Sequence, residues 1–506
     1  MANHSATEHL VGRPAKFLAL TTLLVFTWQS IGFAQSPRLP DFGSPADTVL
    51  SKSRERQLGR SVMLQLRNAG AVVDDPLLTE YVSVIGSQLA SQANNGDHSF
   101  EFFMIEDNRI NAFAMPGGFI GVHTGLILAS ENESELAGVL AHEVSHVTQR
   151  HIARSLYDSQ RSGMLSMATM LAAILLGAAT DMGGDAMQGL LTAGQAAAIQ
   201  RQINFTRANE HEADRLGMEV LSSAGFDPSG MASFFEKLAR RYGNSTQYVP
   251  EMLQTHPVTF ERIAEARDRA RQLPRQEHTD SISYGLAKAR IQVLAANSPE
   301  SALAIFESRP DPDSPANRYG RALTLARLGR NDEGEREFRA LAQEFPGVIA
   351  YRIGQAEALM ASQQASLAME VYVEAMRLFP RNVPLTISYA EALIVDGRPT
   401  RAHEILLDLL NNVPPTPAQI QLIARAANAE GDVGNAQYYM AEYYISIGNL
   451  PLAINQLRMA MESPEVNSVN QARFRAKLEQ WMGYLSDEDR ARLASTQPPS
   501  PSVPPP

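Results

Sequence analysis

In the stretch GVLAHEVSHVTQRH, residues 138–151, His142 and His146 stand four residues apart with Glu143 beside the first. On a helix that spacing puts two imidazoles one turn apart on the same face, where both can converge on one ion. Glu143 can then reach a water held on that ion and take its proton. A zinc ion lowers the pKa of its water from about 16 to about 7, so a carboxylate is a sufficient base for attack on a peptide carbonyl. The same pattern also arises by coincidence, as polar residues on a half-buried helix, and a third ligand is needed to separate the two readings.

The metzincin continuation does not supply that ligand. It requires glycine at 149 and histidine at 152, where this chain has Gln149 and Ile152, and His151 misses the register. A second helical stretch, INFTRANEHEADRLGMEVL (203–221), offers a carboxylate instead. Glu210, Ala213, Asp214 and Gly217 fall along one side, so Glu210 can complete the coordination while Asp214, one turn on, supports it.

These residues need elements to hold them. SFEFFMIEDNRINAFAMPGGFIGVHTGLI (99–127) reads as strand, turn, strand, turn, strand, with Pro116-Gly117-Gly118 as turn chemistry, and predicts a small antiparallel sheet leading into the motif helix. Ser130 or Asn132 can cap that helix, with Glu133 or Glu135 close behind. Leu136, Val139, Leu140, Val144 and Val147 supply its buried face.

From about residue 280 to 485 the chain is almost continuously helical, and it repeats. Phe345-Pro346, Phe379-Pro380 and Val413-Pro414 recur every 34 residues, as do Ala322, Ala356, Ala390 and Ala424. Gly329, Gly397 and Gly431 share the frame, with Gln363 filling the gap between the first two. That period is the tetratricopeptide repeat's, and about four repeats plus irregular helices are expected. Stacked repeats of this kind present a concave surface to other proteins. The expected fold class is an α+β domain, mostly helical with a small antiparallel sheet and zincin-like if the metal-peptidase reading holds, at 45–272, followed by an all-α tetratricopeptide solenoid at 280–485. The final TQPPSPSVPPP predicts a disordered, proline-rich end at 496–506.

Composition excludes some partners. A net charge of −11 over 506 residues, with no basic run, argues against nucleic acid. FLALTTLLVFTWQSIGFA follows a weakly basic GRPAK and closes with Gly32 and Ala34, so residues 1–34 read as a secretory signal cleaved near Ala34. The absence of cysteine rules out disulfides and a lipid-modified cysteine. A bacterial periplasm fits these features best. A second apolar stretch, GMLSMATMLAAILLGAAT (163–180), is interrupted by Ser166 and Thr169 and is expected to form a helical hairpin near the site rather than a bilayer span. A plug, a substrate surface and a peripheral membrane contact remain open for 163–200.

HEVSH followed by RANEHEAD resembles the zinc peptidase family of the prenyl-protein endopeptidases and HtpX-type heat-shock proteases. NAFAMPGGFIGVHTGL and THPVTFER (255–262) match its other marked stretches. The resemblance implies one zinc ion per chain on His142, His146 and Glu210, with Glu143 as catalytic base and Asp214 as a supporting or proton-donating carboxylate. It further implies a supporting role for Arg207, and a substrate edge along Asn111, Ala112, Phe113, Ala114 and Met115. It offers His256 as a regulatory fourth metal ligand, the alternative being a loop histidine. Ligand type alone leaves manganese or cobalt possible. With a signal segment and carboxyl-terminal repeats, the chain resembles the periplasmic branch of that family. This implies an endopeptidase that degrades misassembled outer-membrane proteins and assists their assembly, with repeats docking to the assembly machinery. The alternative is mainly a scaffold or chaperone with a latent metal site.

Overall fold

The computed structural model describes residues 44–93, 98–161, 207–242, 251–464 and 466–484. The expected signal segment, the 163–200 region and the proline-rich tail lie outside the described residues. No helix among the described residues is long and apolar enough to cross a membrane.

The first half opens with a 3-10 turn, Pro45–Thr48, then α1 (Lys52–Asn68) and α2 (Pro76–Ala93). Three strands follow, β1 (Glu101–Ile105), β2 (Ala112–Met115) and β3 (Phe119–His123), then α3 (Thr124–Ala129) and α4 (Glu133–Thr148). The remaining helices are α5 (His151–Arg161), α6 (Arg207–Ser223), α7 (Ser229–Tyr242), α8 (Glu251–Thr255) and α9 (Phe260–Gln272).

The sheet is mixed rather than antiparallel. Gly117 and Gly118, both at positive φ, close β2 and β3 into a hairpin, and β1 takes the other edge of β3 in parallel, giving the order β1-β3-β2. β2 is therefore an edge. His123 N donates to Asn111 O (3.0 Å), so Asn111, Phe113 and Met115 turn their backbone groups toward β3 while Ala112 and Ala114 turn theirs outward.

Helix α4 is the centre of the peptidase half. Asn132 caps it by accepting from Glu135 N (2.9 Å), and the Glu135 carboxylate returns to accept from Glu131 N (2.7 Å). The helix is not half-buried. Every residue from Glu133 to Val147 is buried, because α2, α6, α7 and β2 all pack on it. Gly138 and Gly230 permit the close α4–α7 crossing: a Cβ on Gly230 would lie 2.5 Å from the Ser134 backbone, and one on Gly138 2.9 Å from Met231 Cα. Val82, Leu89, Ile120, Val139, Leu140, Leu221 and Phe234 are among the buried residues of this core.

From α10 (Ile282–Ala295) and α11 (Pro299–Glu307) onward the chain is a stack of helix pairs. These are α12–α13 (Pro315–Arg327, Asn331–Glu344), α14–α15 (Ile349–Ala361, Ala365–Leu378), α16–α17 (Val383–Val395, Pro399–Leu410), α18–α19 (Pro417–Glu430, Val433–Ser446) and α20–α21 (Leu450–Glu462, Ser468–Met482). Ala322, Ala356, Ala390 and Ala424 are all buried at equivalent positions, where only a small side chain lets the helices approach. The turns repeat too: Gly329, Gly397 and Gly431 sit at φ 76°, 76° and 93°, and Gln363 holds the same left-handed place at φ 60°. Helix α2 ties the halves together. Its capping Asp75 accepts from Arg290 Nε (2.7 Å), its Glu80 from Asn382 Nδ2 (2.8 Å), and Leu77 packs on two of the repeat cores.

A left-handed residue with a side chain costs about 1 kcal/mol or more. Gln363→Gly is therefore expected to raise the stability of the repeats by roughly 0.5 kcal/mol, and Gly397→Ala to lower it by about 1 kcal/mol. Urea unfolding of the intact chain, followed by helical circular dichroism, measures both.

Candidate metal centre and active site

α4 carries His142, Glu143 and His146, the first turn of α6 brings Glu210, and the loop after α8 brings His256. All five are at most 3% exposed. One ligand atom from each of His142, His146, Glu210 and His256 can be chosen so that all lie within 4.8 Å of one another. The two α4 imidazoles meet at 2.9 Å, Nε2 to Nε2. His256 Nδ1 is 3.4 Å from His142 Nε2 and 2.9 Å from Glu210 Oε1, and Glu210 lies 3.5 Å from both His142 Nε2 and His146 Nε2. Donors spaced about 3.3 Å apart are what a four-coordinate ion with bonds of about 2.0–2.1 Å collects.

The electrostatics favour a cation here. Burial opposes a charge on His142, but its bonds to Asp214 and Glu210 outweigh that and push its pKa up to about 10. Burial would also raise Glu210, yet the neighbouring His256 and His142 hold it well below the usual carboxylate range. His142 Nδ1 sits 2.9 Å from Asp214 Oδ1, so an ion that replaced the proton on Nε2 would meet that nitrogen while Nδ1 stayed toward Asp214. Converging imidazole nitrogens, an ionised carboxylate and a dry setting form a donor set that fits one divalent metal ion.

Glu143 points elsewhere. Its Oε2 accepts from Ala114 N (2.9 Å), one of the outward-facing amides of edge strand β2, and its Oε1 lies 3.7 Å from His256 Nε2. Burial raises its pKa, only partly offset by His256 and His142. Strand and carboxylate are thereby held against each other beside the cluster. All of Asn111–Met115 is buried, and α8 lies at its start, where Met252 N donates to Ile110 O (3.4 Å). One turn later the same segment presents His256, whose N–H bonds to Met252 O (2.8 Å).

Of the expected residues, Arg207 is not at the cluster. It opens α6 and is exposed, because three residues before Glu210 on a helix is one turn nearer the solvent end. The cation that meets the acids is Arg262, from α9. Its Nε and Nη2 donate to Asp214 (2.7 and 2.8 Å), and its Nη1 lies 2.9 Å from Glu210 Oε2 and donates to Pro257 O (2.9 Å), with the guanidinium over Phe235 at 5.0 Å. Burial would raise Asp214, but these bonds hold it below the usual range. The signal was present in THPVTFER, where Arg262 stands six residues after His256.

A paired-histidine helix facing a second helix's glutamate, beside an edge strand, is the arrangement of a metallopeptidase. Residues 76–270 match Peptidase family M48, and residues 359–426 match a tetratricopeptide repeat. The chain is 36% identical to the beta-barrel assembly-enhancing protease of Escherichia coli (strain K12) over 446 residues, 87% of this chain and 91% of that one. It is 34% identical to the same-named protein of Yersinia pestis over 87% and 91% of the two chains. It is also 30% identical to the mitochondrial metalloendopeptidase OMA1 of Schizosaccharomyces pombe, over 37% of this chain and 51% of that one. The chain belongs to peptidase family M48, in the group of the beta-barrel assembly-enhancing proteases, and is a metalloendopeptidase with carboxyl-terminal tetratricopeptide repeats.

Removing Arg262 would leave Asp214 and Glu210 buried without their shared cation. Arg262→Met is expected to cost about 3–5 kcal/mol at neutral pH. Because the folded pKa of Asp214 is depressed, the stability it contributes is full above the unfolded value of about 4 and is lost as pH falls further. Denaturation from pH 7 to 3 should therefore show the gap between wild type and variant closing below about pH 4.

Proposed function

We propose that the chain is a periplasmic zinc endopeptidase acting on extended segments of outer-membrane proteins that have failed to assemble. The observation that carries this reading is the convergence of His142, His146 and Glu210 beside Glu143, which is itself bonded to the outward edge of β2. In this reading His142, His146 and Glu210 hold the ion. A bound zinc ion supplies a polarised carbonyl and an acidified water.

The chain's own residues do the rest. The outward backbone groups of Ala112 and the carbonyl of Ala114 take the substrate as an added strand, within the segment Asn111–Met115, so selection rests on main-chain bonds rather than side chains. Ala114 N–H orients Glu143, which takes a proton from the attacking water and returns it to the leaving amine. A carboxylate raised by burial suits both transfers. Asp214, fixed by Arg262, sets the orientation of His142.

His256 is the resting block in this account. Its Nδ1, 3.4 Å from His142 Nε2 and 2.9 Å from Glu210 Oε1, would compete with substrate for a bound ion, and the segment that carries it also meets the start of β2. The six helix pairs serve as the protein-binding half. A cleft of about 840 Å³ between α2 and helices α16 and α18, with Val84 61% exposed on its wall, offers room for a segment of another chain. Delivery to the periplasm would follow from the signal-like residues 1–34. A mainly scaffolding role remains the second reading, favoured by the burial of β2 and by His256 at the cluster.

Glu143→Gln should leave zinc bound but lower cleavage of an unfolded protein such as casein by about 10²–10⁴-fold, and a chelator should abolish cleavage in wild type. Undiminished turnover of a stalled outer-membrane barrel protein in Glu143→Gln would contradict the proteolytic reading. His256→Ala should raise cleavage, and unchanged or lower activity would count against latency.

A further inference from the structure

His151 fails the metzincin register, yet the fold returns it to the cluster. Between α4 and α5 the chain turns through Arg150 at φ 53°, and Arg150 is buried and pinned by Asp47 (2.5 Å), Glu55 (3.3 Å) and Leu50 O (2.7 Å). That left-handed step reverses the chain at once, and the His151 ring comes to lie 4.8 Å from that of His146, centroid to centroid, with no exposed surface.

Three hydrogen bonds then run in line. His146 Nδ1 and His151 Nδ1 are 2.8 Å apart, His151 Nε2 is 3.1 Å from Glu212 Oε2, and Arg154 Nη1 donates to that same oxygen (2.8 Å). A carboxylate held ionised by an arginine can only accept, so His151 Nε2 carries the hydrogen. A neutral imidazole carries one hydrogen, so with it on Nε2 toward Glu212 the His151 Nδ1 is left to accept. The hydrogen between the two Nδ1 atoms therefore belongs to His146, and His146 Nε2 is bare toward the cluster.

We propose that His151 is a positioning residue that, with Glu212 and Arg154, fixes His146 in the one tautomer able to bind metal. The relay parallels the one in which Asp214 and Arg262 hold His142. The two chains of bonds end on carboxylates two residues apart on α6, the helix that also supplies Glu210. A single helix thus sets both imidazoles and contributes the carboxylate between them. The inference rests on the reading of His142, His146 and Glu210 as the metal ligands.

Zinc itself is the probe. The intact chain is stripped of metal, and its zinc dissociation constant is read by competition with a chromophoric chelator, with folding checked by circular dichroism. His151→Gln keeps the relay, since its amide oxygen can accept from His146 and its amide nitrogen can donate to Glu212. His151→Leu removes the relay and keeps the bulk. We expect His151→Gln to stay within about threefold of wild type and His151→Leu to bind about 10- to 100-fold more weakly. Glu212 is partly exposed, so substitutions there test the same point without touching the core. Glu212→Gln should preserve affinity, whereas Glu212→Lys, which can only donate, should reverse both imidazoles and weaken binding by a similar factor. Wild-type affinity in His151→Leu or in Glu212→Lys would overturn the proposal, as would equal loss in both His151 variants. Should His151→Leu not fold, the two Glu212 variants decide. His146→Ala separates the two levels of the argument: if it still binds zinc as wild type does, the ligand assignment fails, not merely the relay.

Discussion

Everything in the peptidase half is arranged around one electrostatic constraint, the burial of imidazole nitrogens 2.9 Å apart in a dry interior. Two ring nitrogens at that distance repel unless a hydrogen or a cation lies between them. The bonds around the rings favour that charge. Asp214 on His142, and Glu210 facing both rings, concentrate negative charge where a cation would bind. Arg262 keeps the acids ionised from behind, so the cluster does not satisfy itself by protonating a carboxylate.

That constraint explains the unusual burial of α4. A helix with one apolar stripe would leave half its residues to solvent, whereas a metal site needs its supporting bonds shielded on every side. α2, α6, α7 and the sheet together provide the shield, and α2 is also the element that the repeats grip through Arg290 and Asn382. The motif helix and the repeat half are therefore joined through one intervening helix. In the proposed mechanism, a partner seated among the repeats would sit close to the elements that position the ligands.

Much of this was legible in the residues. The His142–His146 spacing and the Glu210–Asp214 spacing are helix periodicities, and a helix converts them into geometry with little freedom. The 34-residue frame likewise located four of the six helix pairs, because each small buried residue and each left-handed turn is a local requirement. Long-range choices were not legible. Whether β1 pairs with β2 or β3 depends on which edge is left after the hairpin closes, and no residue in β1 records it. Arg262 and His151 were harder to read for a similar reason: THPVTFER contained Arg262, but the carboxylates that Arg262 and His151 meet lie 48 and 61 residues away. Arg207 was put forward by the family resemblance, but it opens α6 and is exposed.

The most direct measurement is zinc-edge X-ray absorption on the resting, intact chain and on His256→Ala. A site built from His142, His146, Glu210 and His256 predicts four nitrogen or oxygen donors at about 2.0–2.1 Å, with the scattering signature of three imidazoles in wild type and two in the variant. Two imidazoles in both proteins, or a six-coordinate oxygen-dominated shell, would contradict it.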